Sequence, residues 1–210
     1  MPTASAQVAG LSRTLAGVLP GTAPVFPAEN PQVPLSWSPD GAHLAFEDRK
    51  PSGDRDIWIL DRGAEPAPFL ITPSDEHAAA FSPDGAWLAY VSDESGRSEV
   101  YVQPYPGPGA KWTISTQGGS EPVWSASGRE LFYRNGDQLM AVTVQTRPQL
   151  DIGQARPMIQ ARFDTVEGAR NYDPAPDGGS FAVVRSDTAP LQDQFRIVIN
   201  WARQLAGRSQ

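Results

Sequence analysis

Cysteine is absent from the 210 residues, and histidine is limited to His43 and His77. The first absence excludes disulfides, thiolate metal sites and cysteine nucleophiles. The second leaves little for chemistry that needs several imidazoles, and no cofactor or metal is expected. Basic charge is also short: 17 Lys and Arg stand against 24 Asp and Glu, for a net −7. Such a balance disfavours electrostatic binding to DNA, RNA or anionic lipid, so no nucleic-acid partner is expected. No run approaches the ~18 apolar residues of a membrane-spanning helix, and no membrane span is expected. Leu15 to Leu19 is interrupted by Gly17 and closed by Pro20, and the first basic residue is Arg13, so no secretory leader is legible. Proline and glycine are plentiful, at 21 and 19 residues, and they punctuate the whole chain. Long helices are thereby excluded. Six Trp, eight Phe and five Tyr can still supply a core.

A repeat organises what remains. Leu35-Ser36-Trp37-Ser38-Pro39-Asp40-Gly41-Ala42-His43-Leu44-Ala45-Phe46 aligns without gaps with the segment from Ala79 to Tyr90, which carries Phe81-Ser82-Pro83-Asp84-Gly85. It aligns equally with Pro122 to Tyr133, where Ala126-Ser127 replaces Pro-Asp. A fourth, weaker copy holds Pro176-Asp177-Gly178 and runs on to Val183. The anchoring glycines at 41, 85, 128 and 178 are separated by 44, 43 and 50 residues. In each copy a short apolar strand enters a turn. Proline presets one dihedral, Asp can bond its own backbone, and Gly accepts positive φ. Turns of a longer or different shape are expected in the third and fourth copies, which depart from the pattern.

Second strands follow the turns. Third strands are expected at Asp56–Leu60, Glu99–Gln103, Gln138–Val142 and 196–200, and fourth strands at Phe69–Thr72, Trp112–Ser115 and Pro157–Gln160. Asn135-Gly136 marks a tight hairpin within the third copy. Four short strands per ~44 residues is the arithmetic of a propeller blade. The fold class is therefore all-β: a β-propeller of four-stranded antiparallel blades. About four to five blades are present, as a small closed ring or as part of a six- to eight-bladed propeller. Residues 1–33 read as a tail and partial blade, 34–77, 78–120, 121–170 and 171–203 as four blades, and 204–210 as a second tail. Strands at Thr14–Leu19 or Ala23–Phe26 would complete the last blade and close the ring. An incomplete ring would self-associate.

The Trp-Ser-Pro-Asp-Gly-x-x-Leu-Ala-Phe form at 37–46, and Phe-Ser-Pro-Asp-Gly-Ala-Trp-Leu-Ala-Tyr at 81–90, resemble the WD40-like PD40 repeats of TolB-type propellers. Across 33–203 the resemblance narrows. Asp93 to Val102, Pro104 to Gly109, Glu130 to Asp137 and Ile197-Val198-Ile199-Asn200-Trp201 are similar to a bacterial propeller often found as the C-terminal, sensor-like region of eukaryote-like serine/threonine kinases. The kinase motifs themselves are missing, with no Gly-rich loop, His-Arg-Asp or Asp-Phe-Gly. The resemblance implies an extracytoplasmic module that binds a protein or peptide. It also admits an accessory propeller of a kinase or of a prolyl-oligopeptidase-like hydrolase.

Chemistry read from the residues is sparse. There is no Gly-x-Ser-x-Gly, and Ser38, Ser82 and Ser125 recur at one repeat position, as turn-capping residues do. The structural turn set is Ser38, Pro39, Asp40 and Gly41, then Ser82, Pro83, Asp84 and Gly85, then Pro176, Asp177 and Gly178. His77, in Ser74-Asp75-Glu76-His77, reads as a solvated link between blades. Asp54 and Asp56 are a faint calcium signal, outweighed by a repeated structural role for Asp56 and its counterpart Glu99. Trp37, Phe81 and Trp124 are expected in the core between blades. Leu35, Ala79, Pro122 and Asn171 are expected near the channel wall. Tyr105, set among prolines, is expected as a rigid turn residue with some capacity for partner contact.

Overall fold

The computed structural model describes residues 29–107, 109–147, 149–163, 170–184 and 197–198. Every regular element among them is a strand. The candidate closing strands before residue 29, and the tail at 204–210, lie outside the described residues. The first sheet is an antiparallel meander of β1 (Gln32–Trp37), β2 (His43–Arg49), β3 (Arg55–Asp61) and β4 (Ala67–Leu70). The second repeats it with β5 (Glu76–Phe81), β6 (Trp87–Ser92), β7 (Glu99–Pro104) and β8 (Trp112–Thr113). The third has β9 (Ser120–Trp124), β10 (Glu130–Asn135), β11 (Gln138–Gln145) and β13 (Arg156–Gln160), with β12 (Asp151–Ile152) added on β11. The fourth contains β14 (Tyr172–Pro174), β15 (Phe181–Val183) and β16 (Ile197–Val198). Each four-stranded meander is one blade of an all-β propeller.

The turn chemistry is the same in all four copies. Gly41, Gly85, Gly128 and Gly178 have φ of 68°, 70°, 69° and 68°. Each donates its N–H to the residue three positions earlier, at 2.9 Å: Ser38, Ser82, Ser125 and Ala175. Ser38 Oγ accepts from His43 N–H and donates to Asp40, while Asp40 accepts from Ala42 N–H. The second copy repeats this set with Ser82, Asp84, Ala86 and Trp87. The altered turns expected in the third and fourth copies are therefore not seen. In the third, the Ser127 hydroxyl takes the place of the missing carboxylate and accepts from Arg129 N–H. In the fourth, Asp177 accepts from Gly179 N–H.

Strand alternation decides which neighbour each side chain meets. Ala45, Ile57 and Ile59 of the first blade face the second, where Phe81, Leu88, Tyr90 and Tyr101 close on them. Ala89, Val91, Val100 and Val102 of the second blade receive Trp124, Leu131 and Tyr133 of the third. Phe132, Leu139 and Ala141 receive Tyr172 and Phe181 of the fourth. Each seam thus sets large side chains of one blade on small or β-branched ones of the blade before.

One core expectation fails. Phe81 and Trp124 are each 7% exposed, but Trp37 at the same repeat position is 50% exposed. The reason is positional: these aromatics pack on the preceding blade, and no described strand precedes β1.

The turns also stack from blade to blade. A Cβ on Gly85 would lie 3.4 Å from Pro39 Cδ, and one on Gly128 would lie 3.6 Å from Pro83 Cδ. At Gly178, whose preceding turn has Ala126 in place of proline, and at Gly41, nothing lies within 4 Å.

Candidate functional site

The innermost strands share a defect at one repeat position. In β1 the pairing passes from Pro34–Phe46 to Ser36–Ala45, leaving Leu35 extra. In β5 it passes from His77–Val91 to Ala80–Ala89, so Ala78 and Ala79 oppose Tyr90 alone. In β9 it shifts between Ser120–Arg134 and Val123–Phe132, across Glu121 and Pro122. A bulge leaves its extra residue outside the ladder and re-aims the neighbouring side chains. Ala78 and Glu121 adopt φ of 55° and 54°, a left-handed conformation that non-glycine residues rarely hold.

The residues expected at the channel wall are thus the bulge residues themselves. Ala79 and Pro122 are buried, and Leu35 is half-buried against the seam of the first two blades. Asn171, immediately before β14, is 2% exposed. Main-chain bonds tie the inner strands together: Phe81 N–H donates to Ser36 Oγ at 3.1 Å, and Trp124 Nε1 donates to Ala80 O at 3.1 Å.

Glu121 is the residue that sequence reading missed. Its carboxylate accepts from Arg134 Nη1 at 2.8 Å and from Asn171 N–H at 2.9 Å. Its carbonyl accepts from the Tyr172 hydroxyl at 2.7 Å. It therefore clasps the third blade to the fourth. Pro34 and Ala78 hold the equivalent positions, so the repeat carried no signal for it.

Polar clasps recur at the other junctions. Arg55 of β3 makes a forked pair with Asp75, at 2.8 and 2.5 Å. Burial opposes ionisation of Asp75, but the Arg55 guanidinium holds its carboxyl below the usual value. Asp56 is 3% exposed and pairs with Lys50 at 2.8 Å. Its counterpart Glu99 pairs with Arg97 at 2.6 Å and accepts from Gly118 N–H at 2.9 Å. The repeated structural role expected of these two acids is what their contacts show. Asp54 bonds Ser52, away from Asp56.

His77 departs from expectation. It lies within β5 with its side chain only 16% exposed, not in a solvated link. Nδ1 stands 3.5 Å from Asp75 Oδ2. Burial, aided by the Arg55 charge, pushes its imidazole down to about 4. Beside it, Glu76 is 1% exposed and bonds Thr72 and Ser92. Burial raises the Glu76 carboxyl above its ordinary value despite the Thr72 hydrogen bond.

Tyr105 sits in the seam between the first two blades. Its ring meets Phe81 edge-on at 4.9 Å, His43 at 5.2 Å and Phe69 at 6.0 Å. Burial, with Asp61 and Asp40 nearby, raises its phenol to about 12. It remains a neutral donor across the physiological range. His43 pairs with Asp61 at 2.5 Å on the same rim.

A shallow depression of about 460 Å³ on the second blade is lined by Ser95, Arg97, Thr113 and Thr116 among others. Its Arg97 is already engaged by Glu99 and the Thr116 carbonyl. The turn acids are committed as well. The Ser38 hydroxyl holds the Asp40 carboxyl low, and at Asp84 the Ser82 hydroxyl and Ala86 N–H outweigh burial to do the same.

No known family profile matches this chain. TolB from Acinetobacter baumannii superposes with a TM-score of 0.56 at 17% identity, covering 78% of this chain and 40% of that one. A TolB homologue from Agrobacterium tumefaciens gives a TM-score of 0.51 at 18% identity, covering 62% and 50%. The fold is that of a TolB-like β-propeller, and the chain spans half or less of these structures. In sequence, 103 residues are 28% identical to the uncharacterized peptidase YuxL of Bacillus subtilis, covering 45% of this chain and 16% of that protein.

Proposed function

We propose that this chain is a non-catalytic binding propeller whose ligand is a protein or peptide. The observation that carries the reading is the repeated bulge. At Leu35, Ala78–Ala79 and Glu121–Pro122 it interrupts three adjacent inner strands at the same height. Main chain released from three ladders side by side offers donors and acceptors to an extended peptide. The blades behind it are fixed by buried seams, so little conformational entropy is lost on binding. The polar groups nearest the bulges are engaged within the fold: Glu121 clasps two blades and Asp75 holds Arg55.

A peptide library displayed on phage tests this directly. Selected peptides are expected to bind at a saturable one-to-one ratio by calorimetry, and Leu35→Glu at the half-buried bulge is expected to weaken them. Peptides that bind equally well to Leu35→Glu would refute the placement. Turnover of a peptide or ester substrate that a single substitution abolishes would refute the non-catalytic reading.

The similarity to a peptidase over 16% of its length favours a second reading. Here the propeller is an accessory module of an enzyme, and its catalytic domain, hydrolase or kinase, lies elsewhere. A reading frame joining this propeller to an α/β-hydrolase or to a kinase domain would support it.

A further inference from the structure

We infer that the two ends of the blade array bind each other between copies of this chain, head to tail. The internal seams supply the rule. On the side facing its predecessor, a blade presents an aromatic at the end of its inner strand, Phe81 or Trp124. On the side facing its successor, it presents a small residue of its second strand, Ala45 or Ala89, with β-branched neighbours. The turn proline of the first then overlies the turn glycine of the second.

The ends of the array hold the two unmatched halves. On the first blade Trp37 is 50% exposed, and nothing lies within 4 Å of a Cβ on Gly41. Deeper in that face Leu44, Phe46 and Leu60 are already shielded, at 2%, 0% and 6%. The open part is therefore the edge formed by Trp37 and the Gly41 turn. On the fourth blade Phe181 and Val183 point into the seam with the third. Ala182 alternates to the other face and is exposed, as is Val184 at 40%. Ala182 is the repeat equivalent of Ala45 and Ala89, Val184 that of Val91, and Pro176 that of Pro39.

Every copy thus carries both halves of a seam that the chain already builds internally. They are not joined within one molecule, because Trp37 stays open to solvent. Joining them between molecules continues the seam and its turn stack. The contact is heterologous, with different patches on the two copies, and yields a closed ring or an open file. It is independent of the peptide-binding reading, since it uses the faces of the end blades and not the inner-strand bulges.

Sedimentation velocity over a concentration series of the full chain tests it. Wild type is expected to associate reversibly. Trp37→Asp and Ala182→Asp are each expected to weaken association by about tenfold or more, since a charge would enter an apolar seam. The decisive sample mixes the two variants. Trp37→Asp keeps an intact fourth-blade face and Ala182→Asp keeps an intact Trp37, so the mixture is expected to form a one-to-one complex. A mixture no heavier than its components overturns the inference, as does a wild type that is monomeric throughout. Val184→Asp replaces Ala182→Asp if circular dichroism shows the latter unfolded.

Discussion

Acidification should loosen the junction between the first two blades through one residue, His77. Its side chain is 16% exposed, beside Asp75 and Arg55, with an imidazole value pushed from 6.5 to about 4. The sign follows from proton binding. Above pH 6.5 the imidazole is neutral in both folded and unfolded chains, and the term is absent. Between 6.5 and about 4 the unfolded chain takes up a proton that the folded chain refuses, so stability falls with pH. Below about 4 the folded imidazole is protonated too and the loss levels off. The gap corresponds to about 3 kcal/mol. Glu76, with its raised carboxyl, works in the opposite direction, because the folded state binds its proton more readily. Asp75, Asp40 and Asp84, all held low, lose their contributions only below their ordinary value of 3.8. The His77 term is isolated by comparing wild type with His77→Gln in urea unfolding at a series of pH values from 7.5 to 4. Wild type is expected to lose about 3 kcal/mol more than the variant over that range. Because the chain has only two histidines, imidazole NMR can follow His77 directly. Parallel stability curves, or a His77 resonance titrating near 6.5, would refute the reasoning.

Three further outcomes are expected. Phe81→Ala should cost about 3–5 kcal/mol by emptying a seam, whereas Trp37→Ala at the same repeat position should cost less than about 1 kcal/mol; thermal unfolding measures both. Glu121→Ala should destabilise by about 3 kcal/mol, since it strips a partner from the buried Arg134 and from Asn171. Hydrogen exchange should show β14 and β15 losing protection first. Gly41→Ala and Gly85→Ala should each cost about 1–2 kcal/mol through the positive φ, and Gly85→Ala should cost more because Pro39 lies against it. Equal losses would mean that the turn stack carries no weight.

The repeat made most of the architecture legible in advance. Ser-Pro-Asp-Gly forces a turn through local bonds alone, so the hairpins at 37–46 and 81–90 could be placed from the residues. The outer strands at Ala67–Leu70, Trp112–Thr113 and Arg156–Gln160 lie within three residues of where the pattern put them. Local chemistry also tolerated the departures in later copies, because Ser127 can accept the hydrogen bond that an aspartate would. The bulges were not legible. Whether Leu35 or Ala79 is skipped in the ladder depends on pairing with a strand some ten residues away, and their residue types carry no mark of it.

The sequence by itself determined the blade: its strands, its turns, and the alternation that makes one face large and the other small. Those properties follow from local dihedral preferences and a period of two. Only the tertiary structure decided what each face meets. Phe81 and Trp37 are equivalent in the repeat, yet one is buried and the other open, because burial depends on whether a blade stands before them. His77 and Glu121 likewise acquired their roles from the neighbouring blade. The desolvation of one and the strained clasp of the other arise from packing between elements, which no local pattern encodes.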